Sequence, residues 1–73
     1  MTPTEKDTET LLIIKEWITK FGWSPTVREV ADSLGLAIST THRRLDRLEE
    51  LGWIERGQFQ SRALRVTTAD WGS

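Results

Sequence analysis

Residues 26–52 read TVREVADSLGLAISTTHRRLDRLEELG, and this stretch decides the fold. Thr26 is followed three positions later by Glu29, which is the spacing of a capping box and predicts the start of a helix. The apolar face of that helix is predicted to comprise Val27, Val30, Ala31 and Leu34. Gly35 predicts its end, because glycine readily adopts the left-handed conformation that closes many helices.

A second helix is predicted from about Ser39 to Leu51, with Ser39 and Thr40 as its caps and Gly52 after its end. Its apolar face comprises Thr41, Leu45, Leu48 and Leu51. At about 100° per residue, the opposite face comprises Ser39, Arg43, Asp46, Arg47 and Glu50, and Arg44 and His42 flank the apolar face. A tight turn containing Gly35 joins the two helices, which together predict a helix-turn-helix.

The residues before Thr26 predict a first helix over about Thr4 to Phe21. Thr4 and Asp7 have capping-box spacing, and Thr2-Pro3 offers an alternative start one step earlier. The face expected to point inward comprises Leu11, Ile14, Ile18 and Phe21. Gly22 predicts the end of the helix, and residues 23–25 are expected to be extended because residues before proline avoid the helical region.

After Gly52 the pattern of apolar residues changes to a period of two, which predicts strands. Residues 53–56 are the first strand, residues 57–61 a turn, and residues 62–67 the return strand. The predicted fold is mainly α with a small β-hairpin: a winged helix-turn-helix of three helices plus a wing. We expect one domain over residues 1–73, with a core of about 4–67 and a tail of 68–73.

The aromatic residues are expected to differ in burial. Trp17 and Trp53 fit positions in the core or at its edge, and Trp23 is expected to pack beneath the turn before the second helix. Phe59 at the tip of the wing is expected to pack under it, to stack on a bound partner or to wedge into that partner. Trp71 in the tail either contacts a protein partner or folds back onto the domain.

Composition excludes several classes of function. The 73 residues contain no cysteine and a single histidine, His42, so we expect neither a metal site nor a cofactor. The sequence shows no nucleophile–base pair and no phosphate-cradling glycine loop, so we expect no enzyme. No secretory signal is visible, and the longest apolar run, 11–14, is too short to span a bilayer, which predicts a soluble, cytoplasmic protein.

Net charge is −1, which does not favour nucleic-acid binding, but the distribution of charge does. Residues 1–35 carry four basic and six acidic side chains. Residues 36–73 carry six arginines, no lysine and five acids, and arginine is suited to bidentate contact with phosphates and guanine edges. The alternative is a solvated surface of ordinary mixed charge.

These side chains predict a surface that binds double-stranded DNA. The second helix of a helix-turn-helix presents its N-terminal residues to base edges in the major groove. On the predicted helix of residues 39–51 these are Ser39, Thr40, His42, Arg43, Arg44 and Arg47, with Glu49 and Glu50 at the far end, away from the groove. The preceding helix would hold a phosphate at Thr26 and Arg28, although Thr26 is more securely a cap and Arg28 equally suits an ion pair with a nearby acid.

The wing, residues 56–62, is the third predicted DNA contact. Its basic and amide side chains are Arg56, Gln58, Gln60 and Arg62. Such a hairpin tip lies along the backbone or in the minor groove. The alternative is a solvated hairpin whose arginines stabilise nothing in particular.

The chain from Gly22 to Val66 resembles the N-terminal DNA-binding domain of the LexA repressor family. The resemblance rests on the segments 22–31 (GWSPTVREVA), 35–37 (GLA), 39–42 (STTH), 45–52 (LDRLEELG), 54–56 (IER) and 62–64 (RAL). It implies a DNA-binding repressor that is associated with the nucleoid of a bacterium or of a phage-infected host. The turn before Ser39 is one residue shorter than in the family, and Arg43 and Arg44 replace different residues, so the family's operator sequence does not carry over.

LexA proteins continue into a self-cleaving, dimerising domain, whereas this sequence ends at Ser73. The resemblance therefore implies either a minimal regulator or an excised domain, without self-cleavage in these residues. The leading function is a sequence-specific transcriptional repressor, acting as a homodimer or in pairs on repeated sites. The alternatives are an excisionase-like architectural DNA-binding protein of a phage or mobile element, and a winged helix that binds a protein instead of DNA.

Overall fold

The computed structural model describes residues 2–57 and 64–67. Three helices, α1 (Glu5–Phe21), α2 (Val27–Leu34) and α3 (Ile38–Glu50), precede two strands, β1 (Ile54–Arg56) and β2 (Leu64–Val66). The predicted order of elements is confirmed. Of the predicted hairpin, residues 58–63, which include Phe59, lie outside the described residues, and so does the predicted tail with Trp71.

Capping boxes begin α1 and α2, as predicted. The Thr4 hydroxyl accepts the Asp7 N–H at 3.3 Å, and the Asp7 carboxylate accepts the Thr4 N–H at 2.8 Å. The corresponding distances between Thr26 and Glu29 in α2 are 3.1 and 2.8 Å. Each box satisfies N–H groups that the first turn of a helix leaves without a partner.

Helix α3 begins one residue before its predicted caps, so the prediction that Ser39 and Thr40 cap it is wrong. Ala37 occupies the N-cap position and supplies no side-chain hydrogen bond. The reason lies in the short preceding turn. Gly35 is left-handed at φ 69° and the Leu36 N–H donates to the Ala31 carbonyl at 3.0 Å, which closes α2 and returns the chain to helical conformation by Ile38.

The core lies where the three helices meet the base of the hairpin. It comprises Leu11, Ile14, Val30, Leu45, Leu48, Ile54 and Leu64, and Ile18, Val27, Leu34, Leu51, Trp53 and Val66 pack partly buried against it. The predicted apolar faces of α2 and α3 are thereby confirmed, and so is the position of Trp53 at the edge of the core.

At the end of α1, two aromatic residues are more exposed than predicted. Phe21 was expected to point inward and Trp23 to pack beneath a turn, but 38% and 53% of their surfaces are exposed. The left-handed Gly22 turns the chain at the end of α1. The centroid of the Phe21 ring lies 4.5 Å from that of Trp17, one helical turn back, and 5.9 Å from that of Trp23. Phe21 therefore contacts both tryptophans, and none of the three rings is among the described residues that pack against the core cluster.

The hairpin is antiparallel, and its register pairs Ile54 with Val66 and Arg56 with Leu64. At its base the Thr67 N–H donates to the Trp53 carbonyl at 2.8 Å and the Thr67 hydroxyl to the Gly52 carbonyl at 2.9 Å. These bonds fix the base of the wing directly after α3. Within the described ranges, no helix has the length and apolar character needed to cross a membrane.

Candidate nucleic-acid interface

The N-terminal half of α3 presents a polar, basic surface to solvent. Its exposed side chains are Ser39, Thr40, His42 and Arg43, and Arg44 is half-buried beside them. Buried Thr41 and Leu45 hold this half against the body of the domain. The structure therefore brings five of the predicted site residues onto two successive turns of one helix.

The start of α3 differs electrostatically from the other two helix starts. The first turns of α1 and α2 contain carboxylates, whereas that of α3 contains none, and no side chain caps it. A helix N-terminus carries a partial positive charge that favours a nearby anion. In α3 this charge is not compensated by its own first turn, so it adds to the basic character of the surface.

Arg43 and Arg44 of this surface are not ion-paired with any other described residue. In residues 2–57 and 64–67, neither Arg43 nor Arg44 forms a salt bridge or side-chain hydrogen bond. Arg43 is fully outward on α3, because its nearest buried neighbours, Thr41 and Leu45, lie on the opposite face. Its five N–H donors are therefore available for an acceptor outside the chain.

Arg47, which the sequence placed on the same outward face, is bound to α1 instead. Its Nε donates to both carboxylate oxygens of Asp7, at 2.7 and 2.9 Å, and its Nη2 donates to the Thr2 carbonyl at 2.7 Å. Burial by itself would raise the pKa of Asp7, but the hydrogen bonds from Thr4 and Arg47 hold that pKa below its ordinary value. Arg47 thus links the middle of α3 to the start of α1.

Arg56, predicted as a wing contact, is bound to α3. Its Nε donates to Glu49 at 2.8 Å and its Nη2 to Asp46. Burial opposes the charged form of Arg56, but the hydrogen bonds to the two carboxylates raise its pKa above the ordinary value. The acids of the far half of α3 therefore anchor the first strand of the wing.

The two predicted phosphate contacts of α2, Thr26 and Arg28, differ in whether other groups of the chain already bind them. The Thr26 hydroxyl is engaged by the Glu29 N–H, so its role as a cap is confirmed. The Glu29 carboxylate lies at the same N-terminus, where it competes with any phosphate. Arg28 is exposed and makes no salt bridge within the described part of the chain.

Three predicted site residues of the wing, Gln58, Gln60 and Arg62, lie outside the described residues. Sequence reasoning missed two residues that the structure brings to this region. Asp7 was recognised only as part of a cap, since its partner Arg47 is 40 positions away. Ile38 was assigned no role, although an isoleucine directly before Ser39 and Thr40 was a visible signal.

The described elements define a class of protein. A helix-turn-helix formed by α2 and α3, supported by α1 and followed at once by an antiparallel hairpin, is a winged helix-turn-helix domain. The chain belongs to the LexA DNA binding domain family, whose sequence model matches residues 1–63. The match extends the resemblance seen from Gly22 onward back to include α1.

Curated relatives agree with the family. The chain is 43% identical to the LexA repressor of an Exiguobacterium species over 58 residues, 78% of this chain and 28% of the relative. It is 39% identical to the LexA repressor of Caldicellulosiruptor saccharolyticus over 69 residues, 93% of this chain and 34% of the relative. It is 38% identical to the LexA repressor of Staphylococcus aureus over 66 residues, which are 89% of this chain and 32% of the relative. The chain thus spans about a third of the length of these relatives.

Proposed function

We propose that this chain binds double-stranded DNA in a sequence-specific manner and acts as a transcriptional repressor. Helix α3 lies in the major groove, and the wing, residues 56–62, lies on the backbone or in the minor groove. The observation that carries the proposal is Arg43, an exposed arginine without an ion pair among the described residues, on the outward face of the recognition helix of a LexA DNA binding domain.

The site residues divide by their environment. Arg43, Ser39 and Thr40 contact base edges, because they are exposed on the first two turns of α3 and no described partner holds the Arg43 guanidinium. Phosphate contacts are assigned to His42, Arg44 and Arg28, together with Gln58, Gln60 and Arg62 of the wing. Thr26 serves mainly as the cap of α2, because the Glu29 carboxylate beside it competes with a phosphate.

Arg47 and Arg56 support the interface indirectly, by holding its elements together. Both are held by carboxylates of the same chain, Arg47 by Asp7 and Arg56 by Glu49 and Asp46. A contact with DNA would have to compete with these bonds. Their main role in binding is to fix how α3 sits on α1 and how the wing sits on α3.

A domain of this size is suited to repression by occupying DNA and so blocking the polymerase. The named relatives are repressors. A single copy offers few base contacts, so two copies bind adjacent half-sites, as a homodimer or as a pair assembled on DNA. The location that follows is the nucleoid of a bacterium or of a phage-infected host. A contact with a protein partner through Trp71, and the division into a core of 4–67 and a tail of 68–73, stay predictions.

The test is selection of bound duplexes from a random-sequence pool, followed by gel shifts over a series of salt concentrations. Arg43→Ala should weaken binding to the selected sequence by about 1–3 kcal/mol and relax preference at one base pair, because a bidentate arginine–guanine contact is lost. Lys6→Ala is the matched control: it removes the same charge from an exposed position on α1 and should leave base preference unchanged.

Retention of no duplex at low salt would refute DNA binding and leave the protein-binding alternative. Equal weakening of all sequences by Arg43→Ala, with a salt slope reduced by about 1, would make Arg43 a phosphate contact only. Light scattering of the free protein and of its complex separates a preformed dimer from pairing on DNA. Strong bending of a bound duplex without sequence selection would favour the excisionase-like alternative.

A further inference from the structure

Ile38 is the first residue of α3, and 41% of its surface is exposed. It lies outside the hydrophobic cluster that joins the helices to the hairpin. Isoleucine neither caps a helix nor favours its formation as alanine or leucine does, so helix formation does not explain its presence there. The next two residues along α3, Ser39 and Thr40, are exposed as well.

The position of Ile38 on α3 places it between the two surfaces proposed to contact DNA. Residues four apart on a helix share a face, so Ile38, His42 and Asp46 form one row along α3. Asp46 is bonded to Arg56 of β1, which shows that this row borders the wing. Ile38 therefore lies at the N-terminal end of the row, where base edges are contacted, on the side that continues toward the wing.

On the basis of the proposed function, we propose that Ile38 determines specificity by packing on the C5 methyl group of a thymine. Thymine alone among the four bases presents a methyl group in the major groove, and an aliphatic side chain recognises it by apolar contact. The surroundings favour DNA over an apolar protein partner, because the first turn of α3 contains no acid and Arg43 lies one turn further along. Polar and basic groups would then hold the duplex while Ile38 distinguishes thymine from cytosine.

The experiment removes that methyl group without changing base pairing. In the duplex obtained by selection, each thymine is replaced in turn by deoxyuridine, and the dissociation constant is measured for the wild type and for Ile38→Ala. At one thymine per half-site, the wild type should bind the uracil duplex about fourfold more weakly, which is the effect of removing one buried methyl group. Ile38→Ala should bind the two duplexes equally at that position and keep the discrimination at all others.

Leu12→Ala is the matched control, because Leu12 is an aliphatic residue of similar exposure, 45%, on α1. It should keep the full thymine-to-uracil ratio, and circular dichroism should show that both variants are folded. The inference is overturned if Ile38→Ala keeps the wild-type ratio at every thymine, or if no thymine shows a ratio in the wild type. If either of these results is obtained with a duplex that the protein does bind, the inference fails but the proposed function stands. If the protein retains no duplex at all, the proposed function and the inference are refuted together.

Discussion

The two halves of α3 are both rich in polar side chains, but they differ in charge and in the partners of those side chains. The first half contains two arginines and no acid, and the second half contains one arginine and three acids. In the first half, Arg43 and Arg44 form no ion pair within the described part of the molecule. In the second half, Asp46, Arg47 and Glu49 are all bonded to other elements, α1 on one side and β1 on the other. The first half is therefore suited to external acceptors, and the second half holds the helix in place.

The difference teaches that the position of an arginine on the outward face does not establish its role. Arg43 and Arg47 are four residues apart and were predicted on the same face, yet only Arg47 lies within reach of a buried carboxylate, Asp7. An arginine already bonded to a carboxylate loses that interaction when it turns to a phosphate, so its net contribution to binding is small. The comparison gives three tests, beginning with the strongest anchor of the second half.

Asp7→Ala should have the largest effect on folding. It removes the buried partner of Arg47 and one half of the capping box of α1, so we expect the free energy of unfolding to fall by about 2–3 kcal/mol. The measurement is urea unfolding followed by tryptophan fluorescence. Thr4→Ala is the control, since it removes the cap hydroxyl but leaves Arg47 paired, and it should cost about 1 kcal/mol. Equal losses in the two variants would show that the ion pair contributes nothing.

The same carboxylate makes stability depend on pH. The pKa of Asp7 in the folded protein lies below its ordinary value of 3.8, so its contribution is present above that value and is lost as pH falls through the folded pKa. The free energy of unfolding should therefore decline below about pH 5, and the decline should be smaller in Asp7→Asn, which does not titrate. Unfolding in urea at a series of pH values checks this. An identical pH dependence in wild type and Asp7→Asn would assign the effect to other carboxylates.

Features set by nearby residues were predictable from the sequence, and those set by distant contacts were not. The capping boxes at Thr4 and Thr26 join residues three apart, and the apolar faces of α2 and α3 follow from helical period, so both could be read directly. The Asp7–Arg47 bond spans 40 positions, and no local pattern predicts it. The exposure of Trp23 likewise depends on where the chain turns after Gly22, which tertiary packing decides.

The smallest expected effect concerns the start of α3, where a local rule failed. Ser39 and Thr40 have the composition of caps, but the cap position belongs to Ala37, so their hydroxyls stabilise no helix end. Ser39→Ala should therefore change the free energy of unfolding by less than about 0.5 kcal/mol, whereas Thr26→Ala, which removes a true cap, should cost about 1 kcal/mol. A loss for Ser39→Ala equal to that of Thr26→Ala would show that Ser39 caps α3. If Ser39→Ala instead preserves stability but weakens binding to the selected duplex, its hydroxyl acts on DNA, which separates the two halves of α3 by function as well as by contacts.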